Sequence, residues 1–292
     1  MLTPYYNGGM DSFVRSTYAD VARRATDARA RFARYGIPVA AGSSLDTILA
    51  APSELDRLRN ELLTRTGQLK PEHSALVWRA ADCNRILDAV EWLDGKPRDQ
   101  EYLAKLQQGP LETFVPDESH AKDFEYELLM AFWLERGGLC PALEEPDLSF
   151  RVGSTKLGLA CKHVYGLGAL GKRLGKGRKQ IAKWTQGGLV ALALDELNEV
   201  WPTGQTVGGS ETQVRATLRA AIHAFWERNA ARINRQVSSP KVLGVILTLI
   251  RPVIVDLVVT TAHEMIIVSI VGPSDPRHKL LERMQVVLAG GC

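Results

Sequence analysis

Cysteine is scarce in this 292-residue chain: Cys83, Cys140, Cys161 and Cys292 stand apart, with no C-x-x-C pair among them. That scarcity argues against a zinc site and against a secreted disulfide framework, so a reducing cytoplasm is the expected compartment. Long apolar runs are missing too. The nearest, VLGVILTLIRPVIVDLVV, is broken by Arg251, Pro252 and Asp256. It falls short of the roughly eighteen uncharged apolar residues of a membrane span, so it reads as buried strands and no membrane partner is expected. The start, MLTPYYNGGMDSF, lacks the basic residues and apolar core of a secretion signal. Internal repeats and low-complexity tracts are absent.

Acids are missing locally. Between Leu148 and Leu194 there is no Asp or Glu, yet nine bases occur: Arg151, Lys156, Lys162, Lys172, Arg173, Lys176, Arg178, Lys179 and Lys183. The whole chain carries +3, so removing the +9 of this segment leaves −6 for the rest. A segregated positive segment is either a solvated surface or a footprint for phosphate backbones. Charge alone does not decide between them.

What is present is ordinary in bulk: 45% hydrophobic and 24% charged residues, enough to bury the core of one large domain or two smaller ones. Residues 1–116 read as helical, in four segments. In the second, SSLDTILAAPSELDRLRNELLTRTG, the helix entry is placed at Pro52–Ser53–Glu54. The Gly- and Pro-containing stretch GPLETFVPDESH, residues 109–120, reads as a linker. From 117 to 292 helical and strand patterns mix. The helix AKDFEYELLMAFWLERGG is followed by a hairpin, a glycine-rich basic loop, the helix KGRKQIAKWTQGG and the strand LVALAL. A long helix near SETQVRATLRAAIHAFWERNAARINRQ then precedes two β-rich runs. The expected class is α/β, a central mixed sheet flanked by helices, with an all-helical N-terminal region. That region is expected to bind a partner, form a homodimer or position DNA.

Within EEPDLSFRVGSTKLGLACKHV, Gly153-Ser154 is a two-residue turn, so directly opposed residues sum to 307. Side chains alternate with period two. One face then holds Leu148, Phe150, Val152, Leu157, Leu159 and Cys161; the other holds Asp147, Ser149, Arg151, Lys156, Gly158, Ala160 and Lys162. The first face is expected to be core and the second to face a ligand. Asp147 and Lys162 lie diagonally across the pair, within reach of one substrate atom. An amphipathic hairpin with a surface salt bridge has the same spacing.

Pro146-Asp147, then Ala160, Cys161 and Lys162, resembles the signature of the PD-(D/E)xK nuclease superfamily, with Ala160 at the position of its second acid. The helix FEYELLMAFWLERGG is similar to the F-E-x-E-L helix of Holliday-junction resolvases and related members, and GRKQIAKW resembles their DNA-facing helix. The resemblance covers roughly residues 120 to 195 and implies a restriction-endonuclease-like core that acts on DNA. It implies Mg²⁺ or Mn²⁺ held by Asp147, the residue at 160 and the backbone carbonyl of Cys161. Lys162 would orient the attacking water and stabilise developing charge. The match selects Glu125, over Glu127, as the helix acid for outer-shell water or a second metal. A methyl group at 160 coordinates nothing, so metal is expected to bind weakly or not at all and the chain to cleave little or no DNA. The remaining pattern is intact, which favours replacement of an acid at 160; the alternative is a naturally non-catalytic protein of this fold that binds nucleic acid or a protein.

GLGALG, Gly166 to Gly171, fits a dinucleotide fingerprint and GLGALGKR approaches a phosphate-binding loop. The first lacks a well-spaced acid and the second has Arg173 where a hydroxyl belongs, with Asp195 as the distant acid. The expectation is a mobile loop that brings Lys172 and Arg173 to DNA phosphates. Lys172, Lys176, Lys179, Gln180 and Lys183 then share a helix face toward the same backbone. His163 and Cys161 are expected in the core, His263 in a turn, and Trp133, Trp184 and Trp226 in packing roles.

Overall fold

The computed structural model describes residues 4–6, 17–115, 117–184, 186–202, 205–256 and 258–289. Cys292 and most of the N-terminal stretch lie outside them. Helices α1 (Tyr18–Arg34), α2 (Ser44–Leu58), α3 (Ser74–Trp92) and α4 (Asp99–Lys105) follow the short strand β1 (Pro4–Tyr6). Then come α5 (His120–Arg136), β2 (Leu148–Val152), β3 (Thr155–His163), α6 (Leu167–Lys183) and β4 (Gly188–Ala193). The chain closes with β5 (Val207–Gly209), α7 (Glu211–Val237), β6 (Val242–Val255), β7 (Val258–Ser269) and α8 (His278–Ala289). Among the described residues no helix is long and apolar enough to cross a membrane.

Local chemistry explains the helix starts. Thr17 and Ser210 cap α1 and α7 in reciprocal boxes with Asp20 and Gln213, and Ser119 caps α5. Helix α2 begins eight residues earlier than the Pro52 entry expected from sequence. Ser43 accepts a hydrogen bond from the Asp46 amide and starts it, and Pro52 sits buried inside the helix. Helix α8 was not read from the sequence at all.

The strands form one mixed sheet in the order β1-β7-β6-β4-β3-β2, with β5 beside the far half of β6. β3, β4 and β6 run parallel, and the hairpins β2–β3 and β6–β7 are antiparallel. Alternate residues of β4 enter different cores. Leu189, Ala191 and Ala193 pack with α1 to α5, while Val190 and Leu192 pack with α6 and α7. Burial on both faces is why LVALAL shows no polar alternation. The pairs Leu148–Leu159, Phe150–Leu157 and Val152–Thr155 match the register expected for the hairpin.

The N-terminal helices have no separate interior. Val21, Phe32, Ile48, Ile86 and Leu103 belong to the same buried cluster as Leu129, Phe150, Leu159 and Ile246. Helices α1 to α4 are therefore a layer on the sheet, and the boundary at 116/117 does not separate two cores.

The glycine-rich stretch is a correction. Gly168, Gly171, Gly175 and Gly177 lie within α6, so there is no mobile loop and no phosphate cradle at Gly166 to Gly171. One of these glycines permits close packing: a Cβ on Gly177 would sit 2.8 Å from Val190 Cγ1 and 3.6 Å from Ala160 Cβ.

Candidate functional site

β3 outruns its partner. β2 pairs only as far as Leu148 with Leu159, which leaves residues 160–163 of β3 at the sheet edge on that side. Asp147, one residue before β2, fills the gap with its side chain: Oδ2 accepts from the Cys161 amide at 2.8 Å, replacing a ladder hydrogen bond. Lys162 Nζ donates to the same Oδ2 at 2.6 Å and to the Cys161 carbonyl at 2.6 Å. Gln180 Nε2, reaching down from α6, donates to Asp147 Oδ1 and to the Pro146 carbonyl, each at 2.8 Å. The acid and the amine expected together are together, and Gln180 joins them.

Of these groups Cys161, Lys162 and Gln180 border a notch of about 370 Å³ between α5 and α6. α5 lines it with Asp123 and Glu127, one turn apart; α6 lines it with Arg173, Lys176, Lys179 and Gln180; β3 supplies Cys161 and Lys162. Burial, then the charge of Asp147, pushes the Glu127 carboxyl up to about 8. Asp147 is also raised by burial, against the opposing pull of Lys162. Four bases, Lys162, Arg173, Lys176 and Lys179, line the notch against two acids, Asp123 and Glu127. The notch is cationic.

Three expected assignments change. Glu125 does not reach the notch. It lies two residues from Glu127, about 200° around the helix, and its carboxylate binds Arg85 Nε at 3.0 Å and Nη2 at 2.7 Å. Glu127 is the helix carboxyl beside Asp147. Ala160 faces no ligand: it is fully buried against α6 and packs with Leu174, Ile181 and Val190. Around Ala160 the hairpin face expected to be open is thus covered by α6, while Arg151 on the same face stays exposed and Lys162 lies at the strand edge beside the notch. Arg173 is tied down by Glu118 at 3.1 Å and Asp123 at 3.4 Å, with Tyr165 beneath its guanidinium, so it orders the rim. Lys172, Lys176, Lys179 and Lys183 are exposed along one side of α6, as their spacing predicts.

His163 and Cys161 are buried, as expected, and burial drives the imidazole well below its usual range and the thiol well above. His163 stacks on Tyr165, 4.9 Å between ring centroids. His263 is in β7 rather than a turn, stacked 5.0 Å from Trp133.

Sequence reasoning missed a second polar cluster. Arg85 of α3 lies between Glu125, Asp82 at 3.6 Å and Asp195 at 3.7 Å, all buried. Beside it, Lys122 pairs with Glu196 at 2.7 Å, and Arg251 lies 4.9 Å above the Trp78 ring. Desolvation pushes Asp82 up to about 7 and Glu196 up to about 8. The members come from α3, α5, β6 and the residues just after β4, so no local spacing announced them. Their joint effect is to lock the helical layer onto the sheet.

Among the described residues, no three His, Cys, Asp or Glu side chains cluster so as to hold a metal ion. Comparisons of the chain with protein-family models, curated proteins and solved structures find no match.

Proposed function

We propose that this chain binds nucleic acid, DNA first of all, by holding backbone phosphates in the notch between α5 and α6, at a nuclease-like site that does not cleave as the chain stands. The observation that carries this reading is the convergence of Lys162, Lys176 and Lys179 on one notch, where Lys162 and Gln180 are locked by hydrogen bonds to Asp147 behind it. Pre-ordered donors around a cationic recess suit a phosphodiester, because phosphate contacts supply most non-specific affinity for nucleic acid. The order α5, β2–β3 hairpin, α6, β4 supports a restriction-endonuclease-like core. The helices of residues 1–116 are proposed as the part that positions DNA or meets a protein partner or second copy.

Fluorescence anisotropy with labelled duplex and single-stranded oligonucleotides tests the reading across a salt series. Binding should weaken linearly in log–log form, and Lys176→Ala and Lys179→Ala should each lower the slope by about 0.9 per lost phosphate contact. A slope unchanged in both variants, or no binding at low salt, sinks it.

A second reading, Mg²⁺-dependent phosphodiester hydrolysis, is favoured by the Glu127 carboxyl beside Asp147. Plasmid cleavage by Ala160→Glu with Mg²⁺ or Mn²⁺ supports it; uncut plasmid with folded protein removes it.

A further inference from the structure

The divalent ion implied by the nuclease resemblance does not fit the donors present. Its expected ligands are the Asp147 carboxylate, the backbone carbonyl of Cys161 and the side chain at 160. The first two are both bonded to Lys162 Nζ, at 2.6 Å each. The other Asp147 oxygen is taken by Gln180 at 2.8 Å. The third position carries a fully buried methyl group turned toward Gly177. Mg²⁺ requires near-octahedral oxygen ligation at about 2.0–2.1 Å. A dication there would have to evict the ammonium or lie against a like charge within a few ångströms.

We propose that the Lys162 ammonium is the resident cation of this site, occupying the place between Asp147 and the Cys161 carbonyl, and that the notch receives a phosphodiester without a divalent metal. The ligand half of this proposal rests on the nucleic-acid reading above; the cation half stands on the Lys162 contacts alone. An ammonium has three donors, and two serve Asp147 and Cys161. The third is left for a phosphate oxygen at the notch, where Lys176 and Lys179 add flanking positive charge. Asp147 is therefore a positioning residue: it holds the lysine.

The geometry makes a counter-intuitive demand. Removing a positive charge at 162 should open a metal site, because Asp147 Oδ2 and the Cys161 carbonyl lose the ammonium that lies against both, Oδ2 keeping only its bond from the Cys161 amide. Mn²⁺ binding to the full chain can be followed by the loss of the free-ion electron paramagnetic resonance signal, which needs no nucleic acid. The wild-type chain is expected to bind Mn²⁺ at least tenfold more weakly than Lys162→Ala. Oligonucleotide affinity of the wild-type chain should be no higher in Mn²⁺ than in EDTA.

Equal Mn²⁺ affinity in the two proteins overturns the cation assignment. So does wild-type oligonucleotide binding that requires Mn²⁺, an arm that needs no variant and survives any misfolding of Lys162→Ala. Absence of oligonucleotide binding in every buffer instead removes the nucleic-acid reading, and the Mn²⁺ contrast alone then decides the role of Lys162.

Discussion

Replacing Arg85 by methionine should unfold this protein more readily than any change at the notch. The guanidinium is 5% exposed and faces three buried carboxyl groups: Glu125 at 2.7 Å, Asp82 at 3.6 Å and Asp195 at 3.7 Å. Methionine fills much of the volume but removes both hydrogen bonds that the Glu125 carboxylate receives. Breaking a buried pair from one side costs about 3–5 kcal/mol, because the remaining charge is neither solvated nor compensated. At roughly 2 °C per kcal/mol for a chain this long, the Tm should fall by at least about 6 °C. The deficit must depend on pH in one direction. Burial already raises Glu125, Asp82 and Asp195, with Arg85 opposing it. Without Arg85 their folded values climb further above the unfolded ones, so the folded state binds more protons than the unfolded state over a wider window. Stability then falls as pH rises, and the variant's deficit grows from pH 5.5 to pH 8. Differential scanning calorimetry at both pH values reads this directly. A loss below about 1 kcal/mol, or one equal at both values, contradicts the assignment of Glu125 to a structural cluster; about 3 kcal/mol is the least a broken buried pair should show.

The notch and the helix packing make further demands. Glu127→Gln removes a carboxyl whose folded value, about 8, lies above its ordinary 4.5; that group's contribution to stability declines as pH rises through this range. The variant should therefore gain thermal stability relative to wild type at pH 9 and little at pH 4.5; a pH-independent difference would contradict it. Gly177→Ala should lower stability by about 1–3 kcal/mol, because the new methyl meets Val190 at 2.8 Å and forces α6 off the sheet. Gly175→Ala, on the same helix with open space around it, should raise stability by up to about 1 kcal/mol, as measured by urea unfolding. Should both changes act alike, packing is not what selects glycine at 177.

Several features were legible because they depend only on neighbours in the chain. The hairpin register follows from a two-residue turn and the two-residue period, so Asp147 and Lys162 could be placed together before any coordinates. The lysine stripe on α6 follows from helical spacing. The glycines of 166–171 misled for the same reason: local chemistry favours a loop, and the packing that holds the helix comes from Leu170 and Leu174, buried with residues of β4 and α7. Glu125 and Glu127 show the limit most clearly. Both belong to the same short motif, and nothing within it says which one turns toward Asp147. The choice is made by Arg85, forty residues away in the chain, which captures one carboxylate and leaves the other to the notch.

The chain alone determined the strand pairing around Gly153-Ser154, the cationic helix that follows, and the apolar runs that form buried strands, since each is set by interactions over a few residues. Tertiary structure decided which faces are covered. It buried Ala160 beneath α6, moved the reactive groups from a sheet face to a sheet edge, and set Lys162 between two oxygens otherwise suited to a metal. Those outcomes depend on where separate elements come to rest, and burial and charge pairing between distant segments have no signature in local sequence.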